Sequence, residues 1–199
     1  MVMGHFATAL VPYQKCRANP KASFWIFLLA AQFLDFLMLG FLVLGHETVT
    51  PDNFFDVSFA GMHSNMQYSH NLVPVAIWAL GLAVVVYAVI RDIAVSMWCF
   101  ALVVFHEFCD LVVGFEHNVT NIESTAVGMK LYTVAPVAGL LIEVAMCFGL
   151  VWWFARQRDN AGQPLSSRAR RGLYLILVGG TLATLPIATH SITQWMSAG

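Results

Sequence analysis

Five stretches of this chain, 23–45, 68–90, 94–115, 131–155 and 172–192, are almost wholly apolar. At about 1.5 Å per residue, each is long enough as a helix to cross about 30 Å of hydrocarbon. Lipid offers no partner to a backbone N–H or C=O, so each stretch must close its hydrogen bonds on itself. The chain therefore reads as all-α: one membrane domain covering 1–199, a polytopic bundle of five transmembrane helices with no internal repeat. Charged residues are 11% of the sequence and net charge is −1, against about 25% charged residues in an ordinary soluble domain. No basic or acidic block points to nucleic acid as a partner.

Arg91 and Asp92 separate the second and third runs, which makes a tight helical hairpin. EHNVTNIESTAVGMK joins the third to the fourth, and RQRDNAGQPLSSRARR joins the fourth to the fifth. With five spans, one face of the membrane carries Lys15, Arg17, Lys21, Arg91, Arg156, Arg158, Arg168, Arg170 and Arg171, and the other only Lys130. The positive-inside rule then places the N-terminus in the cytoplasm and the C-terminus outside. The fifth run contains Gly179, Gly180 and Pro186; if it does not cross, the C-terminus moves inside and the other four placements stand. Cys99, Cys109 and Cys147 lie in apolar runs and Cys16 in the basic N-terminal segment, so free thiols are expected. That segment lacks the apolar core of a signal peptide, so the first run is expected to remain in the protein.

Polar residues interrupt the apolar runs at definite depths. Gln32 and Asp35 fall near the middle of the first span and Glu143 near the middle of the fourth. His70 opens the second span, and His106 and Asp110 fall in the outer half of the third. Every histidine except His5 is placed outside or in the outer half. A charged side chain at the centre of a spanning helix costs roughly 2.5–3.5 kcal/mol, so Asp35 and Glu143 should face the bundle interior. His106 and Asp110 are spaced i, i+4 and project from one helix face, with Gly114 allowing close approach. The hairpin makes the second and third spans antiparallel, which brings His70 within about 4–5 Å of the depth of Asp110. Two His and one Asp suit a divalent ion, Zn²⁺ first, then Fe²⁺ or Mn²⁺. Asp35 is the expected fourth ligand, with Glu47 and Glu143 behind it. The plainer alternative is a set of interhelical hydrogen bonds tying the bundle together, each worth about 0.6–2 kcal/mol.

The same residues carry a resemblance. AAQFLDFL (Gln32, Asp35), GHE (Glu47), YSHNL (Tyr68, Ser69, His70), FHEFCD (His106, Asp110), EH (His117) and LIEVA (Glu143) stand in that order. The order resembles a family of small bacterial integral membrane proteins described as membrane-bound and metal-dependent hydrolase-like, over residues 23–150. The family's pattern has Ser before the His of the third span, where this chain has Phe105. The resemblance implies a bacterial plasma-membrane hydrolase.

Three functions follow as expectations. The first is a metal-dependent hydrolase of a lipid or lipid-linked ester, amide or phosphoester at the outer leaflet. Its metal would be held by His70, His106 and Asp110 with Asp35. Glu47 or Glu143 would take the proton from bound water, with Gln32, Tyr68, Ser69 and His117 in support. The second is a non-enzymatic subunit of a larger membrane complex, binding haem or a chlorophyll-type pigment through His70 or His106. The third is an ion or proton conductor through Gln32, Asp35 and Glu143, which the apolar inner half disfavours. Membrane lipids are the expected partners, with a homo-oligomer or larger membrane complex as the open assembly states.

Overall fold

The computed structural model describes residues 3–197. Two short helices, α1 (Gly4–Thr8) and α2 (Leu10–Lys15), lead into α3 (Phe24–Ala31) and α4 (Phe33–Val43). A connecting segment follows, with strands β1 (Thr48–Thr50) and β2 (His63–Asn65) paired antiparallel. Next come α5 (Leu72–Ile90) and α6 (Ile93–Val113), a second small antiparallel pair β3 (His117–Asn118) and β4 (Ala126–Val127), then α7 (Leu131–Val134) and α8 (Pro136–Asn160). The chain closes with α9 (Ser167–Leu173), α10 (Gly180–Leu182) and α11 (Ile192–Ser197). The fold is thus mostly helical, with four very short strands among the described residues, all confined to the connections.

Helices α5, α6 and α8 are each long and apolar enough to cross a membrane. The pair α3 and α4 passes the same test as one span bent by 54°. The expected fifth span is not a continuous α-helix. After α9 the hydrogen bonding switches to π over Tyr174–Gly179, returns to α10, and becomes 3-10 over Leu185–Ile187. Gly179 and Gly180 offer little helix preference and Pro186 removes an N–H donor, so an apolar run of this composition need not stay regular.

The α5–α6 hairpin shows how the sequence sets the turn. Arg91 takes the left-handed conformation, φ 55°, and its N–H donates to Tyr87 O to close α5. Asp92 accepts from Val95 N at 3.0 Å and from Asn19 Nδ2 at 2.7 Å, which starts α6. The Val95 N–H, followed by the Asn19 amide, holds the Asp92 carboxyl below the usual carboxylate range. Small residues line the seam: Ala79, Ala83 and Ser96 are buried, and Ser96 Oγ donates to Ala83 O. Without a hydrophobic drive between helices in lipid, such close approach supplies the packing. The outward face, with Ile77, Leu80, Val84 and Val89, is exposed and apolar, as a lipid-facing surface must be.

The N-terminal segment is part of the bundle. Helices α1 and α2 pack into the bundle against α8, with Ala7 and Leu10 buried beside Cys147, Val151 and Phe154. Two helices of five and six residues are too short to register as a span by hydropathy. The chain emerges at the end of the bundle that holds the α5–α6 turn, where Lys21 Nζ donates to Arg91 O. At α6's other end the chain leaves through Gly114, where a Cβ would fall 2.8 Å from Asp110 O, so only glycine lets it turn away so tightly. The four cysteines are free, as expected.

Candidate metal centre

The bundle interior is polar where α1, α4, α5 and α6 meet. His5, His70, His106 and Asp110 are buried there, and Asp35 is partly exposed to a cavity. His70 and the i, i+4 pair His106 and Asp110 do converge: their ligand atoms lie within 4.8 Å of one another. His106 Nε2 is 3.3 Å from Asp110 Oδ2 and 3.7 Å from Asp35 Oδ1. His70 Nε2 is 3.8 Å from Asp110 Oδ2 and 3.6 Å from Asp35 Oδ1.

Hydrogen bonds on the far side of each ring decide which nitrogen faces inward. His106 Nδ1 lies 2.7 Å from Ala31 O, a pure acceptor, so Nδ1 carries the proton and donates. Ala31 is the last residue of α3, and its carbonyl is available because the span breaks at Gln32. Ser69 Oγ donates to Glu47 Oε2 at 2.8 Å, which leaves its oxygen to accept from His70 Nδ1 at 2.7 Å. His117 Nδ1 donates to Glu107 Oε1 at 2.7 Å. All three rings therefore turn Nε2 away from these anchors, as a lone pair unless a further proton is added.

His106 Nε2 is buried without a hydrogen-bond partner among the described residues, and its nearest polar neighbours are carboxylate oxygens. A lone pair surrounded by acceptors in a water-poor interior is costly unless a proton or a metal cation enters. These buried His and Asp groups can hold a metal ion, and the hydrogen bonds to Nδ1 of His70 and His106 are the supports that ligating imidazoles normally require.

Above this floor lies a cavity of about 420 Å³. Asp35, His70, Asp110 and His117 line its polar end; Met38, Leu42, Val49, Phe54, Phe59 and Met62 supply apolar walls. The walls come largely from the segment between α4 and α5, which has no sequence signature of its own. His117 Nε2 is buried and without a hydrogen-bond partner among the described residues, and its ring meets that of His70 edge-on with centroids 5.5 Å apart.

Other expected residues lie elsewhere. Glu47 is buried but engaged: Oε1 accepts from Tyr68 N and Ser69 N at 2.9 and 2.7 Å, and Oε2 from Ser69 Oγ. Glu143 accepts from Met3 N and Gly4 N at 2.6 and 2.7 Å and from Tyr132 Oη at 2.5 Å. Glu143 thus anchors the start of α1, where helix N–H groups need acceptors, and Glu47 holds the YSH turn. Neither carboxylate turns a spare oxygen to the cluster. Tyr68 contributes its backbone, while its ring is exposed against Phe41 and His46. Gln32 is buried at the bend, with no hydrogen bond to its side-chain oxygen among the described residues. His46, His63 and His190 are exposed, and Glu116 pairs with Lys130.

Sequence reasoning missed His5 and Glu107. His5 Nε2 lies 3.1 Å from Asp110 Oδ1, and its ring stacks on His106 with centroids 3.5 Å apart and planes 8° from parallel. No periodicity could reveal a partner 105 positions away. Glu107 was visible in HEFCD, but only its bond to His117 shows which way it faces.

Replacing Ser69 with alanine removes the link between Glu47 and His70 while leaving each ligand atom in the chain. Divalent-metal affinity should fall about 10–100-fold, measured by competition with a chromophoric chelator; unchanged affinity would mean that Ser69 does not orient His70.

No family model, curated protein or solved structure matches the chain.

Proposed function

We propose that this protein is a metal-dependent hydrolase of a lipid or lipid-linked ester or phosphoester, working in the outer half of a bacterial plasma membrane, with the Lys15–Lys21 end of the bundle on the cytoplasmic side. The observation that carries the reading is the convergence of the buried His70, His106 and Asp110 ligand atoms within 4.8 Å of one another, at the floor of a largely apolar cavity. His70, His106 and Asp110 would hold the ion, Zn²⁺ by preference and Fe²⁺ or Mn²⁺ otherwise, since imidazole and carboxylate donors suit all three. When bound, such an ion lowers the pKa of its water to near neutrality and polarises the bond to be cleaved.

The chain's own residues supply the rest. Asp35 reaches the cluster from the cavity side, with 30% of its side chain exposed, so it is the group placed to accept a proton from attacking water. Glu47 and Glu143 are engaged by hydrogen-bond donors, so the base role expected for them passes to Asp35. Ser69 and Ala31 O fix the rings of His70 and His106. The apolar walls receive a hydrocarbon chain and exclude water around the polar end. Orientation rests on charge: Lys15, Arg17 and Lys21 gather with Arg91 at one end, and the cavity opens in the opposite half.

Haem or pigment binding through His70 or His106 is less favoured, because Asp35 and Asp110 oxygens stand 3.3–3.8 Å from both Nε2 atoms, where a macrocycle would lie. The test is metal analysis and an absorption spectrum on detergent-purified protein. Hydrolysis of a panel of lipid esters and phosphoesters is then followed before and after chelation. Colourless stoichiometric metal with chelator-sensitive hydrolysis is expected. Metal-free protein, a chromophore band, or metal-loaded protein that cleaves none of the panel would overturn the reading.

A further inference from the structure

Resting on that reading of the centre, we infer that it is built for two metal ions, the second held by His5 from α1, with Asp110 bridging the pair. The argument is one of planes. The lone pair of an imidazole nitrogen lies in the ring plane, so a coordinated ion lies in or close to that plane. His5 and His106 are stacked, with centroids 3.5 Å apart and planes within 8° of parallel. Two nearly parallel planes one ring thickness apart share no point within bonding reach. One ion therefore cannot serve both rings, although both present Nε2 to the same carboxylate. His70 differs: its plane is inclined by 46° to that of His106, so those two planes intersect and one ion can satisfy both.

Asp110 divides its oxygens in the way a bridge requires. Oδ1 lies 3.1 Å from His5 Nε2, and Oδ2 lies 3.3 Å from His106 Nε2. Oδ1 thus faces His5, Oδ2 faces His106 and His70, and a carboxylate so placed spans two ions. In two-metal sites the ions sit about 3.5–4 Å apart, close to the 3.5 Å stacking distance of the rings. Asp35 reaches both positions: its ligand oxygen groups within 4.8 Å with His5 and His106, and its Oδ1 is 3.6 Å from His70 Nε2. The first ion would take His70, His106 and Asp110 Oδ2; the second would take His5 and Asp110 Oδ1; and Asp35 would stand between them. A hydrogen bond from His5 to Asp110 with a single ion beyond it is the competing arrangement, and metal count separates the two.

The experiment compares the full-length wild-type chain with His5→Ala and His5→Gln. Gln keeps an N–H donor for Asp110 but supplies no imidazole, which guards against a variant that merely fails to pack. Each purified protein is stripped, reloaded with Mn²⁺, and examined by metal analysis and electron paramagnetic resonance. The wild type should bind about two ions per chain with an exchange-coupled signal, and His5→Gln about one with an isolated six-line signal. One ion in the wild type, or two retained in both variants, overturns this inference and leaves the single-ion hydrolase standing. A wild type that binds no metal overturns the proposed function as well.

Discussion

Replacing His106 with alanine should remove the ion shared with His70 from the purified protein and abolish its hydrolysis, while Asp35→Asn should keep metal and lose turnover. His106 is the ring on which the centre converges. Its Nε2 faces both carboxylates, its Nδ1 is fixed by Ala31 O, and His5 stacks on its face. Alanine removes a ligand that its neighbours do not replace: His70 and His117 are tied by their own Nδ1 anchors, and His5 lies in a parallel plane on Asp110 Oδ1. Asn at position 35 keeps the size and an oxygen donor but cannot take a proton. The expected loss in turnover is about 10²–10⁴-fold, the usual contribution of a positioned acid or base. Metal analysis and steady-state hydrolysis on the two variants check both claims. Metal retained by His106→Ala would mean that the cluster is a structural hydrogen-bond network in which His106 is protonated.

Glu143→Ala should be the most destabilising substitution outside the cluster. Its fully buried carboxylate accepts from Met3 N, Gly4 N and Tyr132 Oη. Truncation strips an acceptor from these groups in an interior with little water to replace it, at about 1–3 kcal/mol for each group left unsatisfied. A net loss of about 3 kcal/mol lowers the melting temperature of a chain of this size by about 6–12 °C. The measurement is thermal unfolding in detergent, with hydrogen exchange over residues 4–15 to show that α1 and α2 loosen. Because α1 carries His5, metal affinity should weaken in the same variant. Glu143→Gln, which keeps an acceptor oxygen, should recover part of the loss. An unchanged melting temperature would show that Glu143 does not anchor the segment.

The sequence made the long helices legible because each is written in one continuous apolar run. The expected 68–90, 94–115 and 131–155 became Leu72–Ile90, Ile93–Val113 and Pro136–Asn160. The meeting of His106 with Asp110 was legible for a similar local reason, since helical periodicity alone puts i and i+4 on one face. His70 reached them because a two-residue turn leaves two antiparallel helices little freedom. What stayed hidden was non-local or too short. The bend at Gln32 leaves no break in hydropathy, and the change to π geometry after Leu173 occurs inside an apolar run. Residues 4–15 lack the length of a span, so charge at Lys15 and Arg17 drew the whole segment toward the cytoplasm. The backbone N–H groups that engage Glu47 and Glu143 were equally hidden, since a list of side chains does not show them.

The break between α3 and α4 has a consequence for anyone redesigning this molecule. A straight, ideal helix would be the natural improvement for crossing lipid, with its carbonyls directed into its own ladder. Ala31 O would then be engaged within that ladder, and His106 would lose the acceptor that tells its two nitrogens apart. Regularising the backbone here would tidy the scaffold and blind the centre, so the irregular turn is a specification to be copied rather than a flaw to be repaired.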